Sequence, residues 1–417
     1  MRREISRAVK LGADKIVGLA RDLVRIPSEN RPPSGDERQV QNYVRRFWEQ
    51  CGVECDTFDP TDAAGFKSHP GFCELDRTYE GRPVVVARIP GAGGGRSLIF
   101  SGHVDVVPVG KGKWRHAAYS GAVEDGRLYG RGAYDMKGAV AAMISAARIL
   151  REMKVTLKGD LIVETVPDEE FASGNGTVAA RARGYTADAC VVGEPTGLKV
   201  VTGHRGFRLA QAAIVGKTGI PVIGGQMVNP VQHLAPVLRG IENFREMRLA
   251  VTKEDTVMIT KLAANEFRPD ELLTVPEECR IEVYWQVLPE EDIADVDTVF
   301  EAAIQNACAS ESYFEANPLR ISYHLRAMPG SRVCADAPIV KDMCTVVESV
   351  TGKPAEVLSA FPPCDLFVFN KFSGIPALVF GPGGGNAHAP DEYVFVDDLL
   401  ACAEVYVNLA LTWCGVS

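Results

Sequence analysis

The chain has 417 residues, 46% hydrophobic and 24% charged, the make-up of an ordinary soluble globular protein long enough for two cores. Its 54 acidic residues against 45 basic ones leave a formal charge of -9, which argues against nucleic acid or an anionic membrane surface as a partner. No window reaches the roughly 18 apolar residues of a membrane span, and Met1 to Lys10 is charged with no signal-peptide core, so a cytoplasmic protein without a membrane partner is expected.

Apolar positions recur at helical spacing from Ala13 to Arg25 and stop at Ile26-Pro27, where proline ends the helix. A second helix is predicted over Gly35 to Gln50, then strands at Val53 to Phe58, Val84 to Ile89 and Ser97 to Val104, the last a continuous apolar run of the buried type. A helix over Met136 to Met153 returns the chain to a strand at Asp160 to Val166, and Ala189 to Val192 reads as another. Alternation of this kind predicts an α/β fold, a mixed-sheet domain with helices on both faces. From residue 206 to 328 the pattern changes to strand, helix, strand, strand, helix, strand: Phe207 to Val215, Val231 to Met247, Thr256 to Ala263, Cys279 to Val287, Ile293 to Glu311 and Leu319 to Leu325. This predicts an α+β sandwich inserted into the first domain, which is thereby split into 1–205 and 329–417. The chain closes with helices at Ala337 to Val350 and Val396 to Trp413.

Five separated segments carry the chemistry: SGHVD (Ser101 to Asp105), GRGAYDMKG (Gly130 to Gly138), PDEE (Pro167 to Glu170), GEPT (Gly193 to Thr196) and NAHAPDE (Asn386 to Glu392). Three of them follow apolar strand runs, and the carboxyl ends of strands are where ligands gather in open α/β sheets. A pocket of His103, Asp135, Glu170, Glu194 and His388, with Glu169 beside them, outlines a two-metal hydrolytic site: one carboxylate bridges, each ion takes a His and a further carboxylate, and a spare Glu handles protons. His103 and Asp105 alternate along a strand and share a face, so Asp105 is placed to accept the second ring N–H of His103. Asp135 precedes a helix, which is also where an N-cap Asp stands. Nitrogen and oxygen donors without sulfur suit one or two divalent ions, zinc, manganese or cobalt. The eleven cysteines lack CxxC pairs and suggest neither a disulfide framework nor a thiolate site; Cys364, beside Asp365, is the one to follow.

In order and spacing these segments resemble the metal-dependent amidohydrolase family of acetylornithine deacetylase, succinyl-diaminopimelate desuccinylase, aminoacylase and carboxypeptidase G, over roughly residues 12 to 205 and 330 to 415. The resemblance implies that Asp135 bridges the ions, that Glu170 joins His388 and Glu194 joins His103, and that Glu169 is the general acid/base, with Asp105 supporting catalysis. It implies hydrolysis of a C–N bond in a small molecule, such as the amide of an N-acyl amino acid, by metal-activated water. It also implies that the insert is a lid through which a homodimer or higher homo-oligomer forms.

The insert departs from the family's pattern. Ile220 stands in GKTGIPVIGG where relatives carry an oxyanion-stabilising histidine, Tyr284-Trp285-Gln286 replaces an Asp-x-Arg pair, and the family's lid asparagine is not recognisable around Leu272 to Pro276. Losing one oxyanion donor typically costs ~10² to 10³ in rate. Hence a second activity is considered, hydrolytic deamination of an activated aromatic amine such as nitroanthranilate, which needs no such donor, and a third, a non-catalytic binding protein on the same scaffold, against which the retained ligands count. Arg205, Arg208, Arg268 or Arg320 is available to bind a substrate carboxylate; Arg205 and the Ile220 position are the substrate-binding candidates carried forward. His204 is left open between a supporting role and surface polarity. His69, His116, His233 and His324 lack a framing motif and read as structural or exposed.

Overall fold

A computed structural model describes residues 2–171, 174–219, 227–266, 274–323 and 327–417. They form two compact units, Met1–His204 with Ser331–Ser417, and Arg205–Gly330. Ile220, Arg268 and His324 lie outside the described residues, as do parts of the predicted Leu319 to Leu325 strand and of the segment around Leu272 to Pro276.

The first unit is built on an eight-stranded mixed sheet in the order Val357–Leu358, Val200–Val201, Ala377–Val379, Ala189–Val192, Leu98–His103, Leu161–Val166, Val84–Ile89, Cys55–Phe58. The four central strands, from Ala377–Val379 to Leu161–Val166, run parallel. Their alternation explains why the runs are continuously apolar. Leu98, Phe100, Leu161, Val163, Ala189 and Val191 enter the core that holds helices Gly138–Glu152 and Val396–Cys414. The intervening Ile99, Ile162 and Cys190 are buried as well, on the opposite face. On that face Glu164 is fully buried and ion-paired with Arg181 of helix Asn175–Ala182. Helices therefore cover both sides, as predicted.

Element ends differ modestly from expectation. The second helix begins at Arg38 because Asn30–Arg31 and Ser34–Gly35 pair as a short antiparallel ladder before it. The helix predicted from Met136 begins at Gly138, after one wide turn, Ala133–Lys137, so Asp135 is not its N-cap. Helix Arg2–Leu11 and a small sheet, Gly384–Gly385, Tyr393–Phe395, Arg127–Tyr129 and Ala122–Glu124, were not anticipated.

The second unit has an antiparallel sheet ordered Val257–Ala263, Glu278–Val287, Gly206–Val215, Arg320–Ser322, with helices Leu234–Thr252 and Ile293–Cys308. Its core centres on three fully buried rings: Trp285 lies 4.5 Å from Phe300 and 5.3 Å from Phe244 between centroids. The Trp of the anomalous Tyr-Trp-Gln run thus packs this core rather than facing a ligand.

Candidate metal centre

The parallel register brings three strand ends together. His103 is paired with Val166, after which the chain turns into Pro167 to Glu170, and Ser101 is paired with Val192, just before Gly193 and Glu194. Gly193 packs closely there, since a Cβ would stand 2.6 Å from the Met143 methyl and 2.8 Å from that of Met136, so a side chain would displace both methionine ends. Asp135 comes from the wide turn, whose lysine, Lys137, is buried and donates to the carbonyls of Leu23 and Ile26. His388 comes from the loop that joins Gly384–Gly385 to Tyr393–Phe395 of the small sheet, where Asn386, His388 and Asp391 all take left-handed backbone.

The six side chains converge. His103 Nε2 lies 3.2 Å from Asp135 Oδ1, 3.6 Å from Glu194 Oε1 and 3.8 Å from Glu169 Oε2. His388 Nε2 lies 3.2 Å from Asp135 Oδ2 and 2.9 Å from Glu170 Oε2. The two oxygens of Asp135 therefore face different histidines. Ligating atoms of His103, Asp135 and Glu170 lie within the reach of one ion, and so do those of His103, Glu169 and Glu194.

One expected contact needs correcting. His103 Nδ1 sits 2.9 Å from the backbone carbonyl of Asp105, and the Asp105 carboxylate is 3.6 Å away. A carbonyl only accepts, so it holds the proton on Nδ1 and leaves Nε2 directed at the carboxylates. The Asp105 carboxylate instead accepts the amides of Glu169 at 3.0 Å and Glu170 at 3.1 Å, and Asn30 Nδ2 at 2.9 Å. Asp168, with φ of 66°, is fixed by Tyr79, Asn30 and the fully buried Arg82, which also pairs with Glu37. None of Asn30, Arg82 and Asp168 was singled out from sequence, since each is an ordinary polar residue until the fold brings it beside the others.

Charge in the pocket is poorly compensated without cations. Burial, then repulsion from neighbouring carboxylates, raises Glu169 and Glu194 well above the usual carboxylate range, and Glu170 to about 7. Hydrogen bonds with Asp135 and Glu170 raise His388 to about 10. Burial lowers His103, but Glu194, Asp135 and Glu169 prevail and raise it. Buried Glu170 Oε1 and Glu194 Oε1 make no hydrogen bond among the described residues. Four carboxylates, two imidazoles and two idle acceptor oxygens fit divalent cations of the zinc, manganese or cobalt kind.

The other candidates have partners of their own. Arg205 bonds Glu254 and Gln286, each at 2.9 Å, within the second unit, where Arg208 likewise chelates Asp297. His204 is buried in a strand pair with Ser331; His116 pairs with Glu124, and His233 stacks on Tyr313. Cys364 is buried, and its thiol is raised by that burial and then by Glu194 and Glu169, so it stays protonated.

An α/β sheet with His and acidic side chains gathered at its parallel strand ends defines the class of metallohydrolases. Residues 99–412 match the model of peptidase family M20/M25/M40. The chain belongs to that family and is a metallohydrolase acting on carbon–nitrogen bonds. It is 28% identical over 419 residues to succinyl-diaminopimelate desuccinylase of Rhodopseudomonas palustris (strain BisA53), covering 94% of this chain and 96% of the relative. Its fold is similar to an M20 family metallo-carboxypeptidase, Sso-CP2, from Sulfolobus solfataricus, with a TM-score of 0.72 at 18% identity over 96% of this chain and 99% of that one. It is also similar to the Bacillus subtilis YXEP protein, a dinuclear metal-binding peptidase of the same family, with a TM-score of 0.67 at 16% identity over 98% and 100%. Among the described residues no helix is long and apolar enough to cross a membrane.

Proposed function

We propose that the protein hydrolyses the amide bond of a small N-acyl amino acid, N-succinyl compounds included, with two divalent ions and with Glu169 as general acid/base. The observation that carries this reading is the division of Asp135, whose Oδ1 faces His103 and Oδ2 faces His388. His103, Glu194 and Asp135 would hold one ion, and His388, Glu170 and Asp135 the other. Glu169, the farthest from His103 Nε2 of the three carboxylates around that nitrogen, is then left for proton transfer. When bound, the ions supply an acidified water, with its pKa lowered from ~15.7 to about 7, and polarise the scissile carbonyl. Glu169, whose backbone amide is held on Asp105, would accept the proton of that water and return it to the leaving nitrogen.

The relatives named desuccinylase support an acylated amino acid as substrate. Release of free amino acid from a panel of N-acyl amino acids by manganese- or zinc-loaded protein tests this. Glu169→Gln should keep metal and fold but lose ~10² to 10⁴ in turnover. Near wild-type turnover in that variant would remove Glu169 from the mechanism. Ammonia release from carboxylated aromatic amines, with the acylated panel inert, would replace amide hydrolysis by deamination.

The unit Arg205–Gly330 is proposed to form a homodimer. Val257–Ala263 is the sheet's edge strand among the described residues, and it exposes Met258, Ile259 and Leu262. Met258→Lys with Leu262→Lys should convert a dimer to a monomer in sedimentation; unchanged mass would remove the edge as the interface.

A further inference from the structure

We propose that Glu392, clamped by Arg131, is a positioning residue that holds the two halves of the metal centre in register, and that its loss releases the His388-side ion first. The inference rests on the two-ion reading above.

Glu392 is fully buried, although it closes an otherwise accessible loop. Its Oε1 accepts the amides of Tyr134 and Asp135, both at 3.1 Å, and its Oε2 is ion-paired with Arg131, itself 1% exposed. Its own carbonyl accepts the amide of Gly130 at 2.8 Å. One residue thus fastens the end of the His388 loop to both ends of the segment that presents Asp135. These bonds set the amide plane preceding the Asp135 Cα, and with it the direction of a carboxylate that must serve two histidines.

The two sides of the centre do not depend on this clamp equally. His103 ends a central strand, is 1% exposed at its side chain and is held by the Asp105 carbonyl. Glu194 follows another central strand, with the Gly193 amide on the Ser101 carbonyl. Neither needs Glu392. His388 has a half-exposed side chain on a left-handed backbone in a loop outside any sheet strand. Beyond the clamp, that loop is tied by the Arg115 amide on Asp391 Oδ1 at 2.7 Å and by Asn386 Nδ2 on the Asp391 carbonyl at 3.2 Å. Removing the Glu392 acceptors therefore loosens His388 and Asp135 together, so the His388 side loses the hold on both its imidazole and its shared carboxylate, while the His103 side keeps His103 and Glu194 in place.

The experiment measures metal stoichiometry by elemental analysis and affinities by chelator competition, with zinc alone and with manganese alone, on wild type and Glu392→Leu, which removes both carboxylate acceptors. Expected are two ions in the wild type and, in the variant, one ion weakened no more than a few-fold with the second weakened ~10- to 100-fold, the size typical for partners that orient metal ligands. Because Leu strands the buried Arg131, the paired variant Arg131→Met/Glu392→Leu is measured beside it, with thermal melting of both. If the paired variant regains stability and still binds the second ion weakly, the defect is one of position. Equal affinities for both ions in folded variants, or equal weakening of both, would overturn the proposal. A wild type that takes up fewer than two ions would instead overturn the two-ion reading.

Discussion

The Asp105 carboxylate accepts the backbone amide of Glu169 at 3.0 Å, while His103, two residues away from Asp105, leans on its carbonyl instead. Asp105 thus does two separable jobs, the side chain holding the Glu169–Glu170 turn and the main chain holding the imidazole. Asp105→Asn keeps the carbonyl but turns an acceptor pair into one acceptor and one donor beside two amide N–H groups. The variant should keep its metal content and lose turnover on the order of 10²-fold, the effect of misplacing a reacting group by about 1 Å. Elemental analysis beside kcat separates the cases: loss of metal with activity per ion intact would mean that the side chain clamps the imidazole after all.

Metal uptake should release protons. In the metal-free pocket Glu169 and Glu194 are raised well above the usual range, Glu170 to about 7 and His388 to about 10, so at neutral pH several of these groups hold protons that ligation must expel. The sign follows: raised pKa values place the proton-for-metal exchange around and above neutrality, and affinity strengthens as pH rises from about 6 to about 8. Calorimetry in two buffers of different ionisation enthalpy counts the protons. Binding that releases none, or that weakens over that range, would contradict the arrangement.

Much of the fold was legible because its elements declare themselves locally. Leu98–His103 and Leu161–Val166 are buried on both faces and each opens with three apolar residues, as a doubly covered sheet requires, and Ala13–Arg25 carries a helical stripe ended by proline. The elements that escaped are short or set by distant partners: Asn175–Ala182 is small-residue rich with a weak stripe, and Arg127–Tyr129 is a strand because Tyr393–Phe395 lies beside it. The same division holds at the site. His103, Asp135, Glu170, Glu194 and His388 stood out because each sits in a frame of Gly, Pro or a strand end. Their supports did not, since Arg131 and Glu392 are 261 positions apart and Arg82 and Asp168 are 86 apart, a proximity that no local pattern encodes. The partner of His103 was misjudged for a related reason. Alternation places side chains on faces, but the turn after His103 decides whether a carbonyl arrives first.

Arg82 offers the sharpest test of how the Glu169 turn is supported. Its guanidinium is fully buried and bonds Glu37 at 2.6 and 2.8 Å and Asp168 at 3.2 Å. Removing one partner from such a group leaves uncompensated charge in the core, so Arg82→Met should lower stability by about 3–5 kcal/mol in urea unfolding. The loss should depend on pH. Burial, opposed by Arg82, already pushes Glu37 from 4.5 up to about 7, and without Arg82 it goes higher. A carboxylate with a raised folded pKa binds protons more readily folded than unfolded, so stability falls as pH climbs from its unfolded value toward its folded one. The deficit of Arg82→Met should therefore be smaller near about pH 5, where Glu37 can protonate, and larger near about pH 8. Adding Glu37→Gln should recover part of it at the higher pH, because the stranded charge is gone. If the deficit were equal at both pH values and Glu37→Gln recovered nothing, Arg82 would owe its place to Asp168 rather than to Glu37.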